Sequence, residues 1–438
     1  MRSDESILRR ALEISTADMT QVTFAYGESA LTRFANSSIH QNVFERNEQL
    51  LIKAVIGKQT GFASTNRVDD ASIVDAVDRA VYAARHSQAN DDFVSLPEPQ
   101  PIRGTDSYCE QTAYYAPEDR SLAVKHMFEC ADQSGASAAG TFTNGYDHTM
   151  VMSSLGVNSS CKSTIAGLTT VMTSGDGYGY ADRLSRRVAD IDPVEAAMEA
   201  SVRSARSRNP QSITPGEYDV ILMPYAVAEF LEFLAYTGFS ALAVQESRSF
   251  MCGRIGERIT GENISIWDDG LDPAGLPLPF DAEGMPKQRV DFIVNGIAND
   301  VVYDSFTANR ENRASTGHAS GGTGSYGPIP QNMFMKPGNT SIDEMIASTK
   351  KGILVTRFHY CNIIHPIQTM ITGMTRDGTF LIENGEITVP LKNLRFTDGI
   401  LCRLSNVEMI SKETYRQTMS VVPAIKVKGF RFTGATEF

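Results

Sequence analysis

No two of the six cysteines, at positions 109, 130, 161, 252, 361 and 402, stand close enough to form a CxxC pair. A chain of this length has no need of disulfide staples, so free, mostly buried thiols are expected. Long hydrophobic runs are missing as well. The longest apolar stretch, residues 230–244, is interrupted by Glu232, Tyr236, Thr237 and Ser240, which makes it too short and too polar to cross a bilayer. The polar start Met-Arg-Ser-Asp-Glu-Ser leads into an amphipathic stretch and does not read as a signal peptide. A cytoplasmic location without a membrane partner is the expectation. No Lys/Arg-rich run offsets the formal net charge of −12, and a surface of that sign repels phosphate backbones. Nucleic acid is therefore not an expected partner. No GxSxG nucleophile elbow occurs, and no glycine loop carries the Lys-Ser or Lys-Thr of a P-loop.

What is present is the composition of a globular protein, 42% apolar and 21% charged, over more residues than one core organises. Residues 7–14 carry apolar side chains at helical spacing. Residues 23–42 alternate as strands, with turns expected at Tyr26-Gly27-Glu28 and Asn36-Ser37-Ser38. Residues 50–56 and 59–64 pair across Gly57-Lys58, and Asp69 or Asp70 caps a helix with Ile73, Val74, Val77 and Val81 on its apolar face. Leu96-Pro-Glu-Pro-Gln-Pro-Ile102 is an extended linker. Beyond it the order returns: a helix over 121–130, strands over 140–172, a turn at Gly177-Tyr178-Gly179-Tyr180, and a helix from Asp192-Pro193 to about Arg206. Gly61-Phe62-Ala63-Ser64 precedes one helix as Gly179-Tyr180-Ala181-Asp182 precedes the other, so two related helix–meander–helix modules are inferred.

From Thr214 the pattern changes. Residues 218–223 form a buried-type strand, and Pro224 suits the first position of a helix running past Leu234. After Gly253 the chain is rich in strands and loops, Ser341 and Glu344 form a capping box, and alternating strands at 378–383, 386–389 and 424–430 close the sequence. The expected fold class is α+β: two related N-terminal α/β modules, residues 1–95 and 103–212, then a β-rich α+β C-terminal domain over 213–438.

Gly322-Thr323-Gly324-Ser325-Tyr326-Gly327 matches GxGxxG, but Pro328-Ile329-Pro330 forbids the helix a dinucleotide site needs, so a mobile glycine loop is expected. Of seven histidines only His359 and His365 cluster, around Cys361. On a regular strand, alternation sets 359, 361 and 365 on one face, offering one sulfur and two imidazoles, ligands that zinc accepts. The plainer alternative makes His359 a polar residue at a pocket edge, Cys361 core, and His365 part of a turn before Pro366.

Several separated segments, in order, resemble the TldD/PmbA family, whose members are called modulators of DNA gyrase or peptide-maturation proteins. They are Asp281-Ala-Glu-Gly-Met-Pro286, Ser315-Thr-Gly-His-Ala319, Lys336-Pro-Gly-Asn-Thr-Ser341, Met345-Ile-Ala-Ser-Thr349 and Gly373-Met-Thr-Arg-Asp-Gly-Thr-Phe-Leu-Ile-Glu-Asn-Gly-Glu-Ile387. The resemblance implies a pair of N-terminal α/β modules and a β-rich C-terminal domain that dimerises. It also implies two kinds of subunit. The TldD kind carries HExxxH on the helix after a strand like residues 220–222, where two histidines hold a metal and the glutamate activates water. Here Glu232, Phe233 and Thr237 stand at those positions, and no histidine lies between 149 and 317.

The resemblance thus implies a PmbA (TldE)-like subunit that binds no metal, pairs with an HExxxH-bearing TldD-like subunit and helps to enclose a peptide. His318, Arg357 and His359 are the expected substrate-binding residues, with Arg357 gripping a peptide carboxylate bidentately. No cofactor, catalytic residue or metal ligand is assigned to this chain, and whether it is itself an enzyme is left open. Two alternatives stand beside this reading: a self-sufficient metallopeptidase using zinc at His359, Cys361 and His365, and a homodimeric binding or scaffold protein without peptidase activity.

Overall fold

Met19 and Ser137 each open a long strand, and these two strands lie side by side. The computed structural model describes residues 4–322 and 326–436. In its first half β1 (Met19–Ala35), β2 (Ser38–Ile56), β3 (Gln59–Thr65), β4 (Ser137–Ser153), β5 (Asn158–Ser174) and β6 (Gly177–Ser185) build one antiparallel sheet, in the order β3-β2-β1-β4-β5-β6. The two repeats are thus halves of a single sheet, joined where β1 pairs with β4 from Gln21↔Ser153 to Phe34↔Gly140. Even-numbered residues of β1 and β4 face the helices. Val22, Phe24, Met150 and Met152 pack under α1 (Asp4–Ile14) and α2 (Asp70–His86). Phe34, Ala138 and Phe142 pack under α4 (Pro117–Gln133) and α5 (Pro193–Arg206), which follow the single turn α3 (Glu110–Ala113). Asp69 caps α2 through Ser72 N, and Asp192 caps α5 through Val194 N and Glu195 N, as their sequence positions require.

Two expected turns are strands instead. β1 runs straight through Tyr26-Gly27-Glu28, and Gly177-Tyr178-Gly179-Tyr180 belongs to β6. The glycines serve close approach rather than reversal. A Cβ on Gly27 would stand 2.4 Å from Asp147 Oδ1, and one on Gly179 would stand 2.0 Å from Ala200 O of α5. Gly61 meets α2 in the same way, 2.3 Å from Ala80 O. Gly179→Ala is therefore expected to push α5 off the sheet and cost about 1–3 kcal/mol, as overpacking does. Thermal unfolding checks this; an unchanged midpoint would show that the helix does not rest on this glycine.

The C-terminal half holds β7 (Glu217–Leu222), β8 (Ile266–Asp269), β9 (Arg289–Val294), β10 (Ile297–Ala298), β11 (Met333–Met335), β12 (Lys351–His365), β13 (Met370–Glu383), β14 (Glu386–Pro390), β15 (Leu394–Gly399), β16 (Val407–Arg416) and β17 (Ser420–Ala435). Five of these close into a ring: β17, β15, β13, β12 and β7 follow one another, and β7 pairs again with β17. Only β7 and β12 are parallel neighbours within it. Phe358 of β12, Phe396 of β15 and Phe430 of β17 make ring contacts at 4.4–5.9 Å. β12 neighbours neither β15 nor β17, so these side chains meet inside the ring. The helix α6 (Pro224–Thr237) lays Phe230 on Phe358 at 5.7 Å. Pro224 occupies the first turn of α6, where its missing N–H leaves no helix bond unmade.

All six cysteines are free, as expected; five are half-buried and Cys402 is exposed. No helix among the described residues is long and apolar enough to cross a membrane. Of the GxGxxG segment, Thr323, Gly324 and Ser325 lie outside the described residues.

Candidate functional site

α6 presents its polar face to the seam between the two halves of the chain. Glu229 and Glu232, three residues apart and so on one helical face, line a cavity of about 350 Å³ with Tyr180 and Asp182 of β6 and Arg357 of β12. The Arg357 guanidinium lies over the Tyr180 ring, 4.2 Å from its centre, and its Nε donates to Asp377 Oδ2 at 2.7 Å. A second guanidinium nitrogen pairs with the same carboxylate. Tyr180 also meets Tyr225 of α6 edge to face at 5.2 Å. Asp182 accepts from Thr169 Oγ1 at 2.5 Å. Burial pushes the Asp182 carboxyl up, and burial together with the neighbouring Glu232 does the same to Glu229. Three carboxyl groups therefore face one guanidinium that Asp377 already engages, and the wall has the chemistry to receive ammonium and backbone N–H groups.

Of the residues expected from sequence, Arg357 alone lines this cavity. The Nε edge of its guanidinium is taken by Asp377, so a bidentate grip on a peptide carboxylate through that edge is not available in this arrangement. His359 lies two residues along β12, half-buried, its imidazole pushed down by burial and by Arg376 and Arg357. His318 is elsewhere and has no exposed surface. Its Nε2 lies 2.9 Å from Asp268 Oδ1 and its Nδ1 lies 3.0 Å from Thr316 Oγ1, so both nitrogens are held inside the protein. Asp182, Tyr180 and Glu229 were not read from the sequence as site residues. The signal for Glu229 was its three-residue spacing from Glu232.

His359, Cys361 and His365 do not come together. β12 bulges between His359 and Asn362, with Tyr360 at φ 55°, and again between Ile363 and His365. Each bulge shifts the alternation on which the shared face depended. Cys361 packs on the core of the C-terminal domain, its thiol pushed up by burial and by Glu229, while His365 is exposed. Among the described residues no group of three or more His, Cys, Asp and Glu side chains is placed to hold a metal ion.

The helix positions fare no better. Glu232 reaches the polar cavity, but Phe233 packs on the core and Thr237, 5% exposed, donates its hydroxyl to Phe233 O at 2.6 Å. One oxygen donor, one phenyl ring and one hydroxyl already hydrogen-bonded do not fit the three-ligand set of a catalytic zinc.

A second ionisable cluster surrounds His318. Asp268 Oδ2 accepts from Gln331 N and Asn332 N, both at 2.7 Å, and this with His318 and Lys287 keeps its carboxyl low despite complete burial. Asp281 accepts from Glu283 N and Met285 N at 2.9 Å and from Ala319 N at 2.8 Å. Burial and the adjacent Glu283 nonetheless push Asp281 up to about 7. A carboxyl raised on folding binds its proton more tightly in the native state, so its contribution to stability declines as pH climbs from 3.8 to about 7. Glu283→Gln removes the neighbouring charge. The variant is expected to gain in urea midpoint relative to the parent chain between pH 5 and pH 8, and an equal offset at both values would contradict the coupling.

The chain thus combines α+β architecture with a polar cavity beside the helix that follows β7. Residues 215–434 match the PmbA/TldA metallopeptidase C-terminal domain, and residues 21–84 match domain 1 of the same metallopeptidases. The chain belongs to the TldD/PmbA family. A metalloprotease PmbA homolog from Haemophilus influenzae is 22% identical, covering 99% of this chain and 98% of its own length. A metalloprotease TldD homolog from the same organism is 21% identical, with 86% and 82% covered. The crystal structure of TldE from Thermococcus kodakarensis superposes with a TM-score of 0.89 at 20% identity, covering 98% of this chain and 99% of that one, and shares the fold.

Proposed function

We propose that this chain is the subunit without a catalytic metal in a heteromeric TldD/PmbA-family peptidase, acting in the cytoplasm in proteolysis or peptide maturation. The observation that carries the reading is α6. By the sequence resemblance it stands where a TldD-like chain carries HExxxH, and of the three corresponding positions only Glu232 reaches the cavity, while Phe233 packs on the core and Thr237 is buried. A metal-bearing partner supplies the hydrolytic centre, and this chain contributes a wall that holds the peptide, with Arg357 positioned by Asp377 and Tyr180 among the carboxyl groups.

Co-expression with an HExxxH-bearing relative from the same source tests it. The expected results are a stable complex of both chains by size exclusion with light scattering, peptide cleavage by the complex, and none by this chain alone. Arg357→Ala in this chain should raise KM for the complex with little change in kcat, because the interaction is made with bound substrate before the chemical step. Recovery of this chain only as a homodimer that leaves the partner's cleavage unchanged would favour a scaffold role instead. Stoichiometric zinc and peptide cleavage by this chain on its own would overturn the proposal.

A further inference from the structure

The face of the N-terminal sheet turned away from its helices meets the C-terminal domain across a cavity of about 520 Å³. It shares no lining residue with the polar cavity beside α6. Gln21 of β1 and Lys53 of β2 point into it, together with Phe62 of β3, Phe93, Glu283 and Ser320.

Its polar groups are incompletely matched from within. Gln21 is 7% exposed; its Nε2 donates to Ala282 O at 3.1 Å, but its Oε1 has no hydrogen-bond partner among the described residues. Ser320 Oγ is also buried without a partner among the described residues. An orphan buried acceptor is uncommon, because it forfeits a hydrogen bond that water supplied before folding. Lys53 makes no ion pair within 4 Å among the described residues, and its ammonium lies 5.8 Å and 6.0 Å from the ring centres of Phe62 and Phe93. Glu283 shares the cavity, but its carboxylate is hydrogen-bonded to Ser305 N at 3.0 Å. The Lys53 ammonium attracts the Glu283 carboxyl without forming an ion pair within 4 Å, and, lying beside two aromatic rings, it is placed to take a second anion.

We propose that this cavity binds an apolar amino acid, or the C-terminal residue of a short peptide, with its carboxylate on Lys53, its N–H on Gln21 Oε1 and its side chain against Phe62 and Phe93. The ligand is small, carries one carboxylate and one N–H donor, and is otherwise apolar. The site does not depend on a partner subunit or on a metal.

Isothermal titration of the full chain with N-acetyl-L-leucine, N-acetyl-L-leucinamide and free L-leucine tests this. Saturable binding at one site per chain is expected for at least one carboxylate probe. N-acetyl-L-leucinamide should bind about tenfold or more weakly than the acid, as loss of one charge-assisted hydrogen bond implies. Lys53→Met, which keeps the apolar stem, should weaken the acid to a similar extent, with Lys53→Arg recovering most of the affinity. Gln21→Leu should weaken it as well. Preference for free L-leucine assigns the site to amino acids, and preference for the acetylated probe assigns it to peptide ends; both support a carboxylate site. No binding of either acid, equal affinity for the amide, or an unchanged Lys53→Met that melts like the parent chain would overturn it. Should Lys53→Met not fold, the acid–amide comparison on the parent chain decides.

Discussion

Asp268→Ala is expected to lower the free energy of unfolding by about 3–5 kcal/mol, the loss that follows when one member of a buried charged pair is removed. Asp268 has no exposed surface, and its two oxygens receive His318 Nε2 and the backbone amides of Gln331 and Asn332. Alanine leaves all three donors without that acceptor, those of His318 and Asn332 in buried residues, and takes the counter-charge from Lys287, itself 4% exposed. Lys287 then keeps its hydrogen bond to Gln331 Oε1 at 2.9 Å and the weaker attraction of Asp281. Asp268→Asn retains one acceptor oxygen but sets an NH2 against a donor, so an intermediate loss is expected. Urea unfolding with an unchanged m-value gives the number directly. A loss below about 1 kcal/mol for alanine would mean that water or rearranged side chains replace the carboxylate, against the burial described.

Phe430→Ala should cost a comparable amount, about 3–5 kcal/mol, through lost burial and the cavity left behind. Phe430 has no exposed surface, and its ring centre lies 5.9 Å from Phe358, 5.4 Å from Phe396 and 5.1 Å from Phe432. Phe358 and Phe396 come from β12 and β15, two strands separated by β13 in the closed ring, so no single strand can move in to fill the space. Phe358→Ala combined with Phe430→Ala should fall short of the sum of the single losses, because the two vacancies merge. Additivity within about 0.5 kcal/mol would show that the rings do not share one core.

Local chemistry was readable from the sequence wherever the cause was local. Asp69, Asp192 and Ser341 are side-chain caps, Pro224 opens α6, and the hairpin at Gly57-Lys58 joins β2 to β3, all as their neighbours in sequence dictate. The repeat was visible in Gly61 and Gly179, although their purpose, seating α2 and α5, needed the packed structure. What escaped was long-range. Nothing near Gly27 announces that β4 will lie against it, so a glycine that permits close contact read as a turn. The bulge at Tyr360 likewise dissolved a zinc-like spacing that strict alternation allowed. His318 was expected at a substrate site from the Ser315–Ala319 segment that carries the resemblance, whereas its partner Asp268 lies fifty residues away and brings it into the core. The wall of the α6 cavity combines β6, α6 and β12, segments too distant in sequence for any one pattern to join them.

The seam between β1 and β4 has a bearing on how the chain tolerates cleavage. Each repeat offers the other a full-length strand edge, from Gln21 to Phe34 on one side and from Gly140 to Ser153 on the other. The proline-bearing connection between the repeats carries none of that ladder, and much of it is exposed. A protease nick there severs the covalent link but none of the strand pairing, so the two fragments should travel together on a native column and separate only in denaturant. Either fragment made alone would present that same bare edge to whatever strand it met first.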